Sequence, residues 1–277
     1  TSVPNEANGI GIQGYSANFS ITSYQSPNGQ IDSYFYHLHY GIKSEASSPT
    51  QTFKVENTTF NTVFNGIYAN GSNSLRIVNN IFESLNYPDI PSQAPACFGL
   101  YMNNCSGYTI NNNHFRNIGN SSQIRKIVGI IVNNSGSAYN LINDNSFSNL
   151  KVGVLAQNQN RGSLSPETGL VIKCNYFSHN KNDIAVTGTQ NGLGYGIGYY
   201  QGTNQSVSSP AGNLFGHAFP GSTSDYHNEL QNIVYVHHQP NQNFPELIPW
   251  HYTSSTISLF TSQHMYQPGI SCSLSIP

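Results

Sequence analysis

The chain has 277 residues, of which only 8 % are charged, and its 10 Lys plus Arg against 12 Asp plus Glu give a formal net charge of −2. No basic run is present that could neutralise a phosphate backbone or anionic lipid, which argues against nucleic-acid partners. No apolar run approaches the ~18 residues that cross a bilayer, so we expect no membrane insertion. The start, Thr1-Ser2-Val3-Pro4, has neither Met nor a signal-peptide pattern, and we expect a mature or excised fragment.

In chain order, the dominant feature is a repeated unit of the form apolar-x-polar-polar-x-Phe. In this unit the third and fourth positions form two columns of small polar residues. The first column is Asn57, Asn79, Asn112, Asp144 and Cys174, and the second is Thr58, Asn80, Asn113, Asn145 and Asn175. The units span residues 55–60, 77–82, 110–115, 142–147 and 172–177.

A second motif follows the first, in which a Gly precedes two apolar residues at alternate positions. It occurs at Gly66, Gly99, Gly129 and Gly153. Alternation of this kind is typical of a β-strand. Steps of six residues from Phe to Gly and sixteen from Gly to Phe give a basal repeat of about 22 residues, and longer units add residues at one corner.

A unit this short cannot bury its apolar face alone, so successive units must stack. We therefore predict an all-β fold, a right-handed parallel β-helix of about seven coils. Ile77, Ile110, Ile142 and Ile172 should form one buried column and Phe82, Phe115, Phe147 and Phe177 another. Asn side chains should form ladders at a buried corner, including Asn79 and Asn112. A leucine-rich repeat has a similar period but needs several Leu in each unit, which these units lack.

These repeats resemble the right-handed parallel β-helices of the pectin-lyase-like superfamily. The tandem Asn-Asn-x-Phe units are similar to repeat domains of large secreted surface proteins of Bacteroidetes-type bacteria. The resemblance covers roughly residues 9–236 and implies a secreted or cell-surface location. We predict a β-helix domain over residues 1–239 and a C-terminal cap or linker over residues 240–277.

The four Cys residues are too few and too scattered to indicate a disulfide framework. A strand over residues 98–104 would hold Cys97 and Cys105 about 26 Å apart, which excludes a bridge between them. Cys174 occupies a polar-column position, and we expect it to be a buried, unreactive thiol.

No catalytic or metal-binding constellation is visible, and we predict no catalytic residues, no metal and no cofactor. The resemblance implies acidic clusters in the enzymes of this fold, whereas the carboxylates here are spread singly. Glu83 and Arg116 should form a surface ion pair. Asp225 and His227 could share a strand face, but we interpret them as structural.

Two tyrosines provide the one candidate ligand surface. Tyr68 and Tyr101 both lie two residues after the repeat Gly, so they should stack outward on adjacent coils, about 5 Å apart. Insertions at residues 86–97 and 119–127 should project from one corner of the solenoid, beside the two tyrosines. We predict a non-catalytic domain for surface display, adhesion or glycan contact, whose partner is a neutral glycan or another surface protein. A carbohydrate-active enzyme and a structural spacer or assembly subunit remain as alternatives.

Overall fold

The computed structural model describes residues 9–84, 97–118, 127–165, 168–216, 224–239 and 244–272. Short β-strands occur throughout these ranges, as the repeat predicts. The strands are β1 Ile10–Tyr15, β2 Phe19–Ile21, β3 Tyr24–Ser26, β4 Gly29–Ile31, β5 Ser33–Tyr36, β6 Tyr40–Glu45, β7 Phe53–Glu56, β8 Thr58–Asn61, β9 Asn65–Asn70, β10 Arg76–Val78, β11 Ile81–Ser84, β12 Cys97–Asn103, β13 Thr109–Asn111, β14 His114–Asn117, β15 Ile127–Asn133, β16 Asn140–Asn143, β17 Ser146–Ser148, β18 Val152–Gln157, β19 Leu170–Lys173, β20 Tyr176–Ser178, β21 Asn182–Thr187, β22 Tyr200–Gln201, β23 Ser224–Asn228, β24 Ile233–Gln239 and β25 Ile257–Met265.

The strands stack into three parallel sheets that wrap one core. Sheet A has the order β1-β6-β9-β12-β15-β18-β21-β23, sheet B the order β19-β16-β13-β10-β7-β2, and sheet C the order β20-β17-β14-β11-β8-β5. Six successive coils each contribute one strand to every sheet, and sheet A gains a further strand at each end. The predicted right-handed parallel β-helix is confirmed.

Both predicted apolar columns are present inside the solenoid. Ile77, Ile110, Ile142 and Ile172 are in register on sheet B and fully buried. On sheet C the rings from Phe82 to Phe177 stack nearly parallel, with centroids 4.6 to 5.1 Å apart. Burial of these columns supplies the main driving force for stacking the coils.

The repeat Gly is required because the Phe of the next coil packs over its backbone. A Cβ atom on Gly99 would lie 2.6 Å from Cδ1 of Phe115 and 2.9 Å from the carbonyl oxygen of Gly129. Both distances are too short for a carbon atom, so any side chain there would displace the aromatic stack.

The two polar columns have different roles, and the predicted burial of Asn79 and Asn112 in the first column is wrong. The second column is the buried ladder. Asn80 Nδ2 donates to Asn113 Oδ1 at 2.9 Å and Asn113 Nδ2 donates to Asn145 Oδ1 at 2.9 Å. Asn79 and Asn112 are instead exposed. Their φ angles of 58° and 52° are left-handed, so these residues turn the corner between sheets B and C with their backbone.

The expectation of a free thiol at Cys174 is also wrong. Cys174 is 7 % exposed, as expected, but its sulfur forms a disulfide with Cys272, 98 residues later in the chain. Cys97 and Cys105 are buried and not bridged to each other. The disulfide ties the last described residues to the coil that contains β19.

The C-terminal region adds a three-stranded sheet D with the order β22-β24-β25. Ile257 to Phe260 pair in register with Ile233 to Val236, so β25 extends the stack beside β24. The division after residue 239 stays a prediction. No helix within the described ranges is long and apolar enough to cross a membrane.

Candidate functional site

The predicted tyrosine pair lies on the outer face of sheet A. Tyr68 and Tyr101 are register partners, and their ring centroids are 5.5 Å apart. The rings are not coplanar, because their planes meet at 82° in an edge-to-face contact. This arrangement is favourable for aromatic rings, but it presents one ring face and one ring edge instead of a flat platform.

The pair stands on an apolar patch of outward-facing side chains. Phe98, Val128 and Ile131 are buried in this patch, and both tyrosines pack against it half-buried. The pKa of Tyr68 is raised mainly by burial and to a smaller extent by the neighbouring Tyr101 and Glu45. Both hydroxyls therefore keep their protons at neutral pH and can donate hydrogen bonds. Of the two predicted flanking insertions, residues 86–96 and 119–126 lie outside the described residues.

A row of surface amides runs along the ends of the same strands. Asn103 Nδ2 donates to Asn70 Oδ1 at 2.9 Å, and Asn133 Nδ2 donates to Asn103 Oδ1 at 2.8 Å. Asn158 Nδ2 continues the row to Asn133 Oδ1 at 2.8 Å. Burial raises the pKa of Tyr101, and the nearby Asn133 side chain opposes part of this shift, which places the amide row beside the tyrosine pair.

Beyond this row the chain forms a groove of about 430 Å³, which we call the amide groove. Asn104, Asn134 and Asn158 lie one step after strands β12, β15 and β18, each with a left-handed φ between 50° and 61°. This conformation ends the strand and turns each coil, which aligns the three amides along the solenoid axis. The remaining lining residues are Gly136, Gln159, Thr189, Gln190 and Tyr195.

The groove offers neutral hydrogen-bond donors and neutral hydrogen-bond acceptors. Asn134 Oδ1 accepts from the Gln159 N–H at 3.3 Å, and the Tyr195 hydroxyl donates to Gln190 Oε1 at 2.6 Å. Asn134 Nδ2 and the Gln159 side chain are exposed and unbonded within the described part of the chain. All lining residues that the structure describes are uncharged. The sequence analysis missed this groove, although the Asn103-Asn104 and Asn133-Asn134 pairs recur at one repeat phase.

We expected the carboxylates to be spread singly, but the structure brings two of them together. Asp183 takes the place of the repeat Gly in β21, and the register of β21 with β23 sets it opposite Asp225. Asp183 is 4 % exposed and Asp225 is 1 % exposed. Burial raises the pKa of Asp183 to about 8, the Asp225 charge adds to the shift, and hydrogen bonds from Asn180 and the Gly216 backbone oppose it.

Asp225 and His227 differ in burial and in their partners. Asp225 is 1 % exposed, and its Oδ2 accepts the backbone N–H groups of Trp250 and His251 at 2.7 and 3.0 Å. His227 lies on the outer side and contacts Glu229 at 2.9 Å. The predicted Glu83–Arg116 pair is present on the surface.

Comparison with known proteins identifies a family. The family described as periplasmic copper-binding protein (NosD) matches residues 3–217, more than half of the chain. No curated protein and no solved structure matches. The periplasmic description and the Cys174–Cys272 disulfide agree on a location outside the cytoplasm. The chain therefore belongs to the NosD family of parallel β-helix proteins.

Proposed function

We propose that this domain is a non-catalytic binding module that contacts a neutral glycan through the amide groove, with Tyr101 and Tyr68 at its side. The observation that carries the proposal is the lining of the groove, which combines several amides with the hydroxyls of Thr189 and Tyr195 and one aromatic ring, and contains no charge in the described residues. The same proposal includes the roles in surface display and adhesion that the resemblance to secreted surface proteins implies.

The chemistry of the lining selects the class of ligand. Sugar hydroxyls both donate and accept hydrogen bonds, and side-chain amides match them in both senses. An anionic polymer would need Arg or Lys to balance its charge, and the groove provides neither among the residues described. The exposed face of Tyr195 or Tyr101 can cover the apolar face of a sugar ring.

The enzymatic alternative has less support from the site. A glycosidase needs two carboxyl groups on either side of a substrate bond. Among the described residues, Asp183 and Asp225 lie opposite each other, but both acids are less than 5 % exposed. This pair suits a structural role better than contact with a polymer.

A binding experiment with matched variants tests the proposal. The full chain is screened against neutral and anionic oligosaccharides, and hits are measured by calorimetry. Asn134→Asp keeps the side-chain shape and the left-handed backbone but exchanges a donor for a charged acceptor. We expect it to weaken binding about tenfold, the equivalent of one hydrogen bond.

Asn79→Asp is the matched control, because Asn79 is also an exposed Asn with a left-handed φ but lies on another corner. It should leave the affinity unchanged. Tyr101→Phe removes only the hydroxyl and should weaken binding without unfolding the patch. Equal effects of the two Asp variants, or a preference for anionic glycans, would contradict the groove assignment. Cleavage of a glycan would establish the enzymatic alternative.

Copper, named in the family description, does not fit the chain with its disulfide closed. Among the residues described, no group of three or more His, Cys, Asp or Glu side chains is arranged to hold a metal ion. The sulfurs of Cys174 and Cys272, which are soft donors, are bonded to each other.

A further inference from the structure

The last strand of sheet D, β25, has one open edge. It pairs with β24 on one side, in unbroken register from Ile257 to Thr261, and no described strand pairs with its other side. At nine residues it is longer than any other strand that the structure describes. The N–H and C=O groups along such an edge are a template on which another strand can pair.

The open part of this edge is centred on Phe260. A backbone N–H of β24 donates to the Thr256 carbonyl at 2.9 Å. Backbone groups alternate between the two sides of a strand, so Leu259 and Thr261 direct their N–H and C=O groups to the open side. The N–H of Gln263, farther along, already donates to a side-chain oxygen at 3.1 Å.

β25 lacks the features that usually keep edge strands apart. Natural edge strands are commonly short, or they carry Lys or Pro. The sequence of β25 contains neither residue type, and the chain has no Asp, Glu, Lys or Arg from residue 247 to residue 277. The edge strands β2 and β5 at the other end of sheets B and C have only three and four residues. The edge of β25 is therefore both longer and free of charge.

An apolar groove of about 510 Å³ lies against the same strand. Val236 of β24 and Phe260 of β25 line it as register partners, and Phe260 is 48 % exposed. The segment 203–205 also lines the groove, and Asn204 fastens this segment to β25 because its Oδ1 accepts from Ser262 Oγ at 2.7 Å. A further strand on the edge would thus extend an apolar strip that is already formed.

We propose that β25 pairs antiparallel with β25 of a second copy of this chain, about a twofold axis beside Phe260. In this register Leu259 faces Thr261 of the partner subunit, and Thr261 faces the partner's Leu259. Each of these two pairs exchanges two N–H···O=C bonds. Phe260 meets the partner's Phe260 in the pair between them, where the Cα atoms are about 4.5 Å apart and aromatic side chains pack together.

The properties of the edge select a second copy as the occupant. An uncharged, apolar edge fits an uncharged, apolar strand, and β25 itself is such a strand. Two copies meet without like-charge repulsion, and a twofold contact closes after one pairing. Stacking of β25 on the opposite end of another copy would instead continue into a filament, and the short strands β2 and β5 offer little edge for it.

The test measures the mass of the full chain in solution and the register of the contact. Sedimentation velocity over a concentration series should show a monomer that converts to a dimer and to nothing larger. Phe260→Cys should form a disulfide between two chains on mild oxidation, because the axis holds these Cα atoms within the ~7 Å limit. Ser258→Cys is the matched control, since the two copies of residue 258 lie about 13 Å apart in this register.

Phe260→Lys sets two ammonium groups beside the axis and should weaken the dimer at least about tenfold. Tyr34→Lys changes an aromatic residue that is 59 % exposed on β5, at the other end, and should leave the dimer unchanged. Circular dichroism verifies that each variant keeps the strands. A wild-type chain that stays monomeric, a dimer that Phe260→Lys leaves intact, a link through Ser258→Cys in place of Phe260→Cys, or large assemblies that Tyr34→Lys prevents would each overturn the proposal. None of these outcomes depends on glycan binding.

Discussion

The substitution Asn113→Leu tests the assignment of the buried ladder. Asn113 is 0 % exposed, and its side chain accepts from the Asn80 N–H at 2.9 Å and donates to the Ile77 carbonyl at 2.9 Å. Leu has a similar volume but no polar atoms, so at least these two buried groups lose a partner. At about 1–3 kcal/mol for each unsatisfied group, we expect a loss of about 2–6 kcal/mol in the free energy of unfolding.

The assay is urea denaturation followed by far-UV circular dichroism, with the m value used to verify that both variants unfold the same structure. Asn112→Leu is the neighbouring comparison, because Asn112 is exposed and makes one side-chain bond, to Asn79 Oδ1 at 2.7 Å. Its cost should be only about 1–2 kcal/mol, from placing Leu in a left-handed conformation. Asn112→Gly relieves that strain and should be nearly neutral. If Asn113→Leu shifted the midpoint no more than Asn112→Leu, the ladder assignment would be refuted.

Three further predictions follow from buried contacts. Gly99→Ala should destabilise the chain by about 1–3 kcal/mol, because its Cβ would overlap the Phe115 ring, and thermal unfolding measures this loss. Cys272→Ser should cost about 2–4 kcal/mol, and a reductant should lower the wild-type midpoint to that of the variant. Burial raises the pKa of Asp183 to about 8. Between its unfolded pKa of about 3.9 and this value the folded chain holds a proton that the unfolded chain releases, so stability should be highest below the window and fall as pH rises through it. Asp183→Asn should remove this decline, and a wild-type midpoint that rises over the same range would show that Asp183 is ionised in the folded chain.

The repeat made the architecture predictable because one residue type recurs at each phase. Phe82, Phe115 and Phe147 share a phase, and only parallel stacking places residues of one phase in contact. The register of Tyr68 with Tyr101 follows from the same rule. Their edge-to-face angle does not, since it depends on the Phe98 and Tyr40 rings packed beside them.

The roles of the two polar columns could not be separated from the sequence. Asn79 and Asn80 are the same residue type one position apart, and the difference between them is a backbone angle. Asn tolerates the left-handed conformation and also forms ladders, so both physical preferences fit both positions. Cys174 stands in the first column with the same left-handed backbone, and nothing in the repeat indicates that its sulfur bonds another segment.

The repeat pattern could not predict contacts between residues that are far apart in the sequence. Cys174 and Cys272 are 98 residues apart, and Cys272 lies beyond the last recognisable unit. Asp183 was visible as a departure from the repeat Gly, but Asp225 enters its register only after an insertion.

The most direct measurement of the central claim is a crystal structure of the full chain with a neutral oligosaccharide that it binds. The account predicts density for a sugar in the amide groove, with hydroxyls bonded to the Asn134 and Gln159 side chains. A bound sugar at another face of the solenoid, with the amide groove left to solvent, would contradict it.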